Sequence, residues 1–209
     1  MKILSACFWL RGVCAAAAET AGGGRCQSGR GASALCLHSA GWARAGRDHF
    51  GLKLIYGDHV HVFYAEPVQA CCMILGMTTG LHNEICVQDI GLSGMTEADG
   101  LAVGRPSKFV GKTVEHLLSG EVTVQDDRLY VYMKELLDRE GIFIEPSSCA
   151  AFAGPARIEK EEVCRAYLKE QGLEERMEQA AHLVWATGGS LVPADVRAEY
   201  VKKAEEKRP

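Results

Sequence analysis

From residue 50 onward, apolar and polar positions fall into short segments that switch between helical and strand periodicity. Residues 50–56 carry apolar side chains at helical spacing and meet Gly57, a stop because glycine takes positive φ without strain. Residues 59–65, rich in β-branched and aromatic types, predict a strand that Glu66-Pro67 ends. Residues 68–77 predict a short buried helix, closed by Thr78-Thr79-Gly80. After a loop, 107–118 reads as a helix capped by Ser107 and stopped by Ser119-Gly120. Asp126-Asp127 open the next helix, which runs to Glu140 and Gly141, and 121–124 and 141–145 are candidate strands on either side of it. A short helix over 146–153, a longer broken one over 158–179, a buried strand over 182–187 and a helix from Pro193 complete the pattern. Such alternation predicts an α/β fold: a mainly parallel sheet with helices on both faces. Ligands in such sheets bind beyond the C-terminal strand ends. Two strand ends carry suitable chemistry, Glu66 and the turn Thr187-Gly188-Gly189-Ser190.

Residues 1–49 do not continue this pattern. They hold 11 Ala, 8 Gly and 4 of the 9 Cys, with a charge of +4 against −8 for 50–209. Little of this stretch is periodic after about residue 18, so no independent core is expected there. Lys2, the apolar 3–10 and Ala15-Ala16-Ala17 also allow a secretory signal, although Arg11 cuts the apolar run short. Gly22-Gly23-Gly24 lacks the preceding strand and following helix that a phosphate cradle needs, and reads as a flexible stretch.

Overall composition is that of a globular chain long enough to bury a sizeable core, with 47% hydrophobic and 24% charged residues. The net charge of −4 argues against nucleic acid as a partner, and no apolar run approaches the ~20 residues of a membrane span. The nine cysteines form no C-x-x-C pair, and their odd number favours free thiols and a cytoplasmic chain. A secreted disulfide scaffold stays open if the signal reading holds. His59 and His61 would share one face of a strand, but no third metal ligand is evident and they read as structural. Asp58 is a turn residue or their second partner. Glu66 is a carboxylate on a rigid elbow, able to bind a hard cation with nearby carbonyls or to be a plain loop residue. Cys71 and Cys72 read as core residues. The Thr187 turn can bind an anion through its N–H groups, and Asp99-Gly100 can be simply a turn.

Taken together, FGLKLIYGDHVHVFYAEP (50–67), VQDIGLSGMTEADGLAVGR (87–105), EPSSCAAFAGP (145–155) and HLVWATGGSLVP (182–193) closely resemble the C-terminal part of the D-serine dehydratases, or D-serine ammonia-lyases. ADGLAV and the terminal WATGG are also similar to the wider fold-type II pyridoxal-phosphate enzymes. The resemblance implies part of the large domain of such an enzyme and β-elimination of D-serine to pyruvate and ammonia, with pyridoxal 5'-phosphate as electron sink. It implies that Thr187 faces the cofactor's pyridine nitrogen and that Gly188, Asp99 and Gly100 belong to the cofactor site. It also implies a monovalent cation near Glu66, completed by a carbonyl from the stretch Ala70 to Cys72.

The departures are equally specific. The family's Schiff-base lysine and its Ser-x-Gly-Asn segment lie upstream of every matched motif and have no counterpart here; Lys53 does not fill the role. A glycine-rich phosphate loop is expected just before Phe50, where the chain reads GWARAGRDH. Glycine codons displaced by one nucleotide encode Trp, Arg, Gly, Ala, Val and Glu, close to what stands at 41–47. The expectation is therefore that 1–49 is a disordered, out-of-frame or aberrant segment and 50–209 the C-terminal part of a pyridoxal-phosphate dependent lyase domain. Such a chain has no catalytic residue of its own, is inactive alone, and would need an upstream fragment of the same enzyme. The alternative is a non-catalytic fragment that binds a small anion or a partner.

Overall fold

The computed structural model describes residues 34–39, 42–185 and 188–207. Ala34–Ser39 forms β1, and Trp42–Tyr56 the helix α1 that leads by a 3-10 turn into β2, Val60–Pro67. A further 3-10 turn precedes α2, Cys72–Thr79, which ends where Gly80 takes φ of 70°. The loop after it contains only 3-10 turns, over His82–Glu84, Val87–Ile90 and Asp99–Leu101. Lys108–Val114 is α3, and the Ser107 side chain accepts from the Val110 N–H as its cap. β3, Gly120–Val124, leads to α4, Asp126–Glu140, whose first turn carries Asp126 and Asp127. These carboxylates complement the positive end of the helix dipole. Pro146–Cys149 is α5, continued by a 3-10 turn into α6, Ala153–Lys160, and then α7, Glu162–Glu170. β4, Ala181–Val184, and α8, Ala194–Glu206, close the chain.

The four strands among the described residues are all parallel, in the order β3-β2-β1-β4. β1 pairs Ala34 with Val60 and with Ala181, while β2 pairs Phe63 with Gly120. Every residue of β2 is buried, as expected of an inner parallel strand covered on both faces. On one face, Phe63, Ala65, Val122 and Val124 pack with Leu129, Met133 and Leu136 of α4 and with the segment around Cys149–Ala153. On the other, Val60, Val62 and Tyr64 pack with Cys72, Met73 and Leu75 of α2 and with Val114 of α3. His49 of α1 ties the second layer together, with Nδ1 3.3 Å from the Tyr64 hydroxyl and Nε2 3.1 Å from the Leu117 carbonyl. The expected layered α/β architecture is present.

Several expectations need correction. The first helix begins at Trp42 rather than at residue 50, and a strand at 34–39 stands within the sheet where no periodicity marked one. ALCL is a short unbroken apolar run, the pattern of a central parallel strand, and too short to show a period. Residues 141–145 form no strand. Gly141 is fixed at φ of 68° as the end of α4 and Pro146 starts α5, so the intervening residues only bridge the two, with Ile144 plugged into the core. The last strand is shorter than expected, and of its four residues only Val184 is buried, because β4 is paired on one side only among the described residues. Residues 158–179 resolve into the end of α6, then α7 and a 3-10 turn over Glu174–Gln179. His59 lies in the turn before β2, exposed, and does not share the strand with His61. The buried His61 sets Nδ1 2.6 Å from the Tyr167 hydroxyl, a packing role.

Candidate functional site

Strand order reverses at β1, whose outgoing connection runs to β2 on one side while β4 lies on the other. The crevice beyond the C-terminal ends of β1 and β4 is where an open α/β sheet binds ligands. Thr187 and Ala186 lie outside the described residues. The turn after them is held in a conformation that favours glycine, with φ of 87° at Gly188 and 116° at Gly189. Close approach adds to the requirement. A Cβ on Gly188 would come 2.6 Å from the Glu145 carboxyl carbon, and one on Gly189 2.8 Å from the Ile144 Cα. Arg197 of α8 clamps the same turn: Nη2 donates to the carbonyls of Gly189 and Ser190 at 2.9 Å, and Nε to Val192 at 2.8 Å. Its guanidinium also lies 4.7 Å from the centre of the Phe143 ring.

The segment Asp99–Leu101 approaches from the opposite side. The Gly100 N–H donates to Ser147 Oγ at 3.1 Å, and a Cβ on Gly100 would lie 3.3 Å from that oxygen. The residues before it are anchored to α4 and α8. Thr96 Oγ1 donates to Asp126 Oδ1 at 2.6 Å, and the Glu97 N–H donates to Oδ2 at 2.7 Å. Glu97 accepts from the Tyr130 hydroxyl at 2.6 Å and from Lys203 Nζ at 3.0 Å. Glu145, half-buried between the two loops, has its carboxyl pushed above the usual range by burial and then by the Asp99 charge. The structure therefore brings Asp99, Gly100 and Gly188 around Glu145 and Ser147. Glycines that leave the wall free of side chains, with carboxylates beside them, leave room for a flat ligand against the loops. Glu145, Ser147 and Arg197 escaped the sequence reading. Only the repeated proximity of glycine to Glu145 explains them, and that is a tertiary fact.

Glu66 forms a second focus at the end of β2. It is 2% exposed, and its two oxygens accept from the N–H groups of Met73 and Ile74, both at 3.0 Å, in the first turn of α2. The Cys72 thiol donates to the same carboxylate at 3.8 Å. Burial outweighs these bonds and pushes the Glu66 carboxyl up to about 7. Burial and the Glu66 charge push the thiols of Cys71 and Cys72 up as well, Cys71 to about 11. Both are unreactive core thiols, and the Cys72 sulfur is a poor ligand for a hard cation. Ala70 is buried alongside, so a cation here would be held by Glu66, a backbone carbonyl and further oxygens. Among the described residues no three His, Cys, Asp or Glu side chains form a metal-binding group by themselves. Glu121 of β3 is also 2% exposed, and neither of its oxygens has a hydrogen-bond partner among the described residues. In the sequence it stood only as the first residue of the candidate strand over 121–124.

Comparison with known proteins follows the same lines. The sequence profile of the family described as pyridoxal-phosphate dependent enzyme matches residues 37–168. A Bacillus cereus protein named "Probable D-serine dehydratase" is 56% identical over 156 residues, which is 75% of this chain and 34% of that protein. The chain thus spans about a third of the length of such relatives. Among solved structures, diaminopropionate ammonia lyase from Escherichia coli superposes with a TM-score of 0.61 at 18% identity, covering 93% of this chain and 46% of that one. A fungal L-serine ammonia-lyase from Rhizomucor miehei gives 0.58 at 17% identity, covering 83% and 50%. These likenesses establish the shared fold. No described helix is long and apolar enough to cross a membrane.

Two outcomes follow from the geometry. Glu66 binds its proton more tightly folded than unfolded, so its contribution to stability is full below the unfolded value of about 4.5 and is lost as pH rises through about 7. The difference amounts to about 3 kcal/mol. In buffer free of small cations, urea midpoints should fall across that window, and Glu66→Gln should flatten the fall. Gly188→Ala should cost about 1–3 kcal/mol by forcing a side chain into positive φ against Glu145. A double-mutant cycle with Glu145→Ala should recover part of that loss, and full additivity would show that the contact is not what requires the glycine.

Proposed function

We propose that this chain, which belongs to the pyridoxal-phosphate dependent enzyme family, supplies the C-terminal part of a D-serine ammonia-lyase site and acts only with the rest of the enzyme. The observation that carries this reading is the crevice in which Gly188, the Asp99-Gly100 loop and Glu145 converge beyond the strand ends. The high identity to proteins named as D-serine dehydratases supports the choice of substrate. When bound, pyridoxal phosphate supplies the electron sink for loss of the α-proton and the β-hydroxyl.

The chain's own residues orient and enclose. Gly188 and Gly189 keep the wall beside β4 free of side chains, and Arg197 holds that wall in place. Thr187, outside the described residues, would present a neutral hydroxyl to the ring nitrogen. Gly100 and Asp99 would back the opposite side, with Ser147 fixing the Gly100 N–H. Glu66, beneath the sheet end, would hold the monovalent cation with the carbonyls near Ala70.

The lysine that carries the cofactor has no counterpart in this reading, so an upstream fragment of the enzyme must provide it. Purified chain mixed with D-serine and pyridoxal phosphate should release no pyruvate, and adding the separately expressed upstream two-thirds of a relative should restore turnover. Turnover by the chain alone would overturn the reading. Residues 1–49 are, in the same proposal, an out-of-frame segment, even though the family match reaches back to residue 37 and residues 34–39 pair as β1 within the sheet. Peptide mass spectrometry of the natural protein should find none of the peptides from 1–49, and recovering them would remove that part of the proposal.

A further inference from the structure

We propose that α8 is a polar strap, latched by Lys203 onto Glu97, that holds both walls of the crevice in place and releases them together when the latch opens. The inference concerns the chain's own loops and does not depend on which ligand the crevice takes. Helix packing provides the first observation. Of the α8 side chains only Ala204 is buried, while Tyr200 and Val201 lie partly buried against the core. Tyr200 meets Tyr130 of α4 with the ring centres 5.7 Å apart. A helix with so little apolar burial opens locally at a lower cost than the core on which it rests. Polar contacts therefore decide whether α8 stays docked.

Those contacts fall at two points, one on each wall. Arg197, near the start of α8, donates to the carbonyls of Gly189, Ser190 and Val192 in the turn after β4. Inside that turn the Val192 N–H reaches the Gly189 carbonyl only at 3.3 Å, so the guanidinium supplies the shorter bonds. From Arg197 to Lys203 is about 9 Å along the helix axis. Lys203 donates to Glu97 at 3.0 Å and to the Tyr130 hydroxyl at 3.3 Å, with its ammonium 5.2 Å from the centre of the Tyr130 ring. The Tyr130 hydroxyl donates to the same Glu97 oxygen at 2.6 Å and so presets the carboxylate for the lysine. Bonds from Tyr130 and Lys203 hold the Glu97 carboxyl below its usual range, and bonds to Glu97 and Tyr130 raise the ammonium, so the pair stays charged. Glu97 stands in the segment that leads to Asp99 and Gly100. The Lys203 and Glu97 side chains are 33% and 50% exposed, so water and salt reach the latch. As one short continuous helix, α8 moves as a body, and loss of the Lys203 anchor is felt at Arg197. Residues 96 and 97 keep their bonds to Asp126, so the turn over 188–192 should loosen more.

Hydrogen exchange of the purified full chain, read by mass spectrometry, tests this. Lys203→Met, which keeps an apolar stem, should speed exchange at least about threefold in both 188–192 and 97–101, while 60–67 in β2 stays unchanged. Lys203→Arg, which restores the charge, should keep wild-type protection within about twofold. Raising NaCl to about 0.5 M should loosen the same two segments in the wild type and add little in Lys203→Met. Lys134→Met removes the ion pair with Asp138 within α4, away from both walls, and should leave both segments as they are. Faster exchange in one segment alone, or in neither, shows that α8 does not couple the walls and overturns the inference. Equal acceleration in β2 overturns it as well, because the lysine then supports the whole fold. The wild-type salt series decides the matter if a variant fails to fold. No cofactor takes part in the measurement, so either outcome leaves the proposed function standing.

Discussion

The burial of β2 on both faces is the constraint on which the remaining structure depends. Its eight residues sit between β1 and β3, and their side chains divide the molecule into two apolar layers. Parallel pairing suits a strand covered on both faces, because each crossover between parallel strands lays a helix over one face. α1, α2 and α3 cover one layer, while α4, α6, α7 and α8 cover the other. This arrangement directs the C-terminal ends of the strands to one side, where both the Gly188 turn and Glu66 are found.

Three carboxylates experience this frame differently. Glu66 ends the central strand and meets the first turn of α2, so burial raises its proton affinity while two backbone N–H groups moderate the rise. Glu121, only one strand away, has the burial without the donors. Glu145 lies between two loops and responds mainly to partial burial, then to Asp99. The ordering follows from desolvation, which penalises a charge most where the least polar surroundings replace water.

The crevice is assembled from distant stretches of chain. Arg197 belongs to the last helix and fixes the turn after β4, while Lys203 of the same helix reaches Glu97 beside the Asp99 loop. α8 therefore bridges both sides of the crevice. β4, which borders the crevice, is less buried than β2 or β3 and leaves Trp185 40% exposed.

Periodicity and punctuation in the sequence marked most elements from residue 60 on. The Ser107 cap, the αL glycines 80 and 141 and the proline before α8 are local devices whose conformational effect does not depend on distant neighbours. The motifs around 50–67, 87–105, 145–155 and 182–193 likewise made the family legible. What escaped was set by long-range packing. β1 is too short to show a period, and 141–145 look like a strand although no ladder receives them. The need for glycine at 188 comes from a carboxylate 43 positions earlier in the chain. Glu121 stood in the sequence only as the start of a candidate strand, and the register alone sets it beside Glu66 in a buried layer. Burial and charge pairing arise between segments, so the chain alone determined which groups are present, and the tertiary structure decided which of them lie buried beside one another.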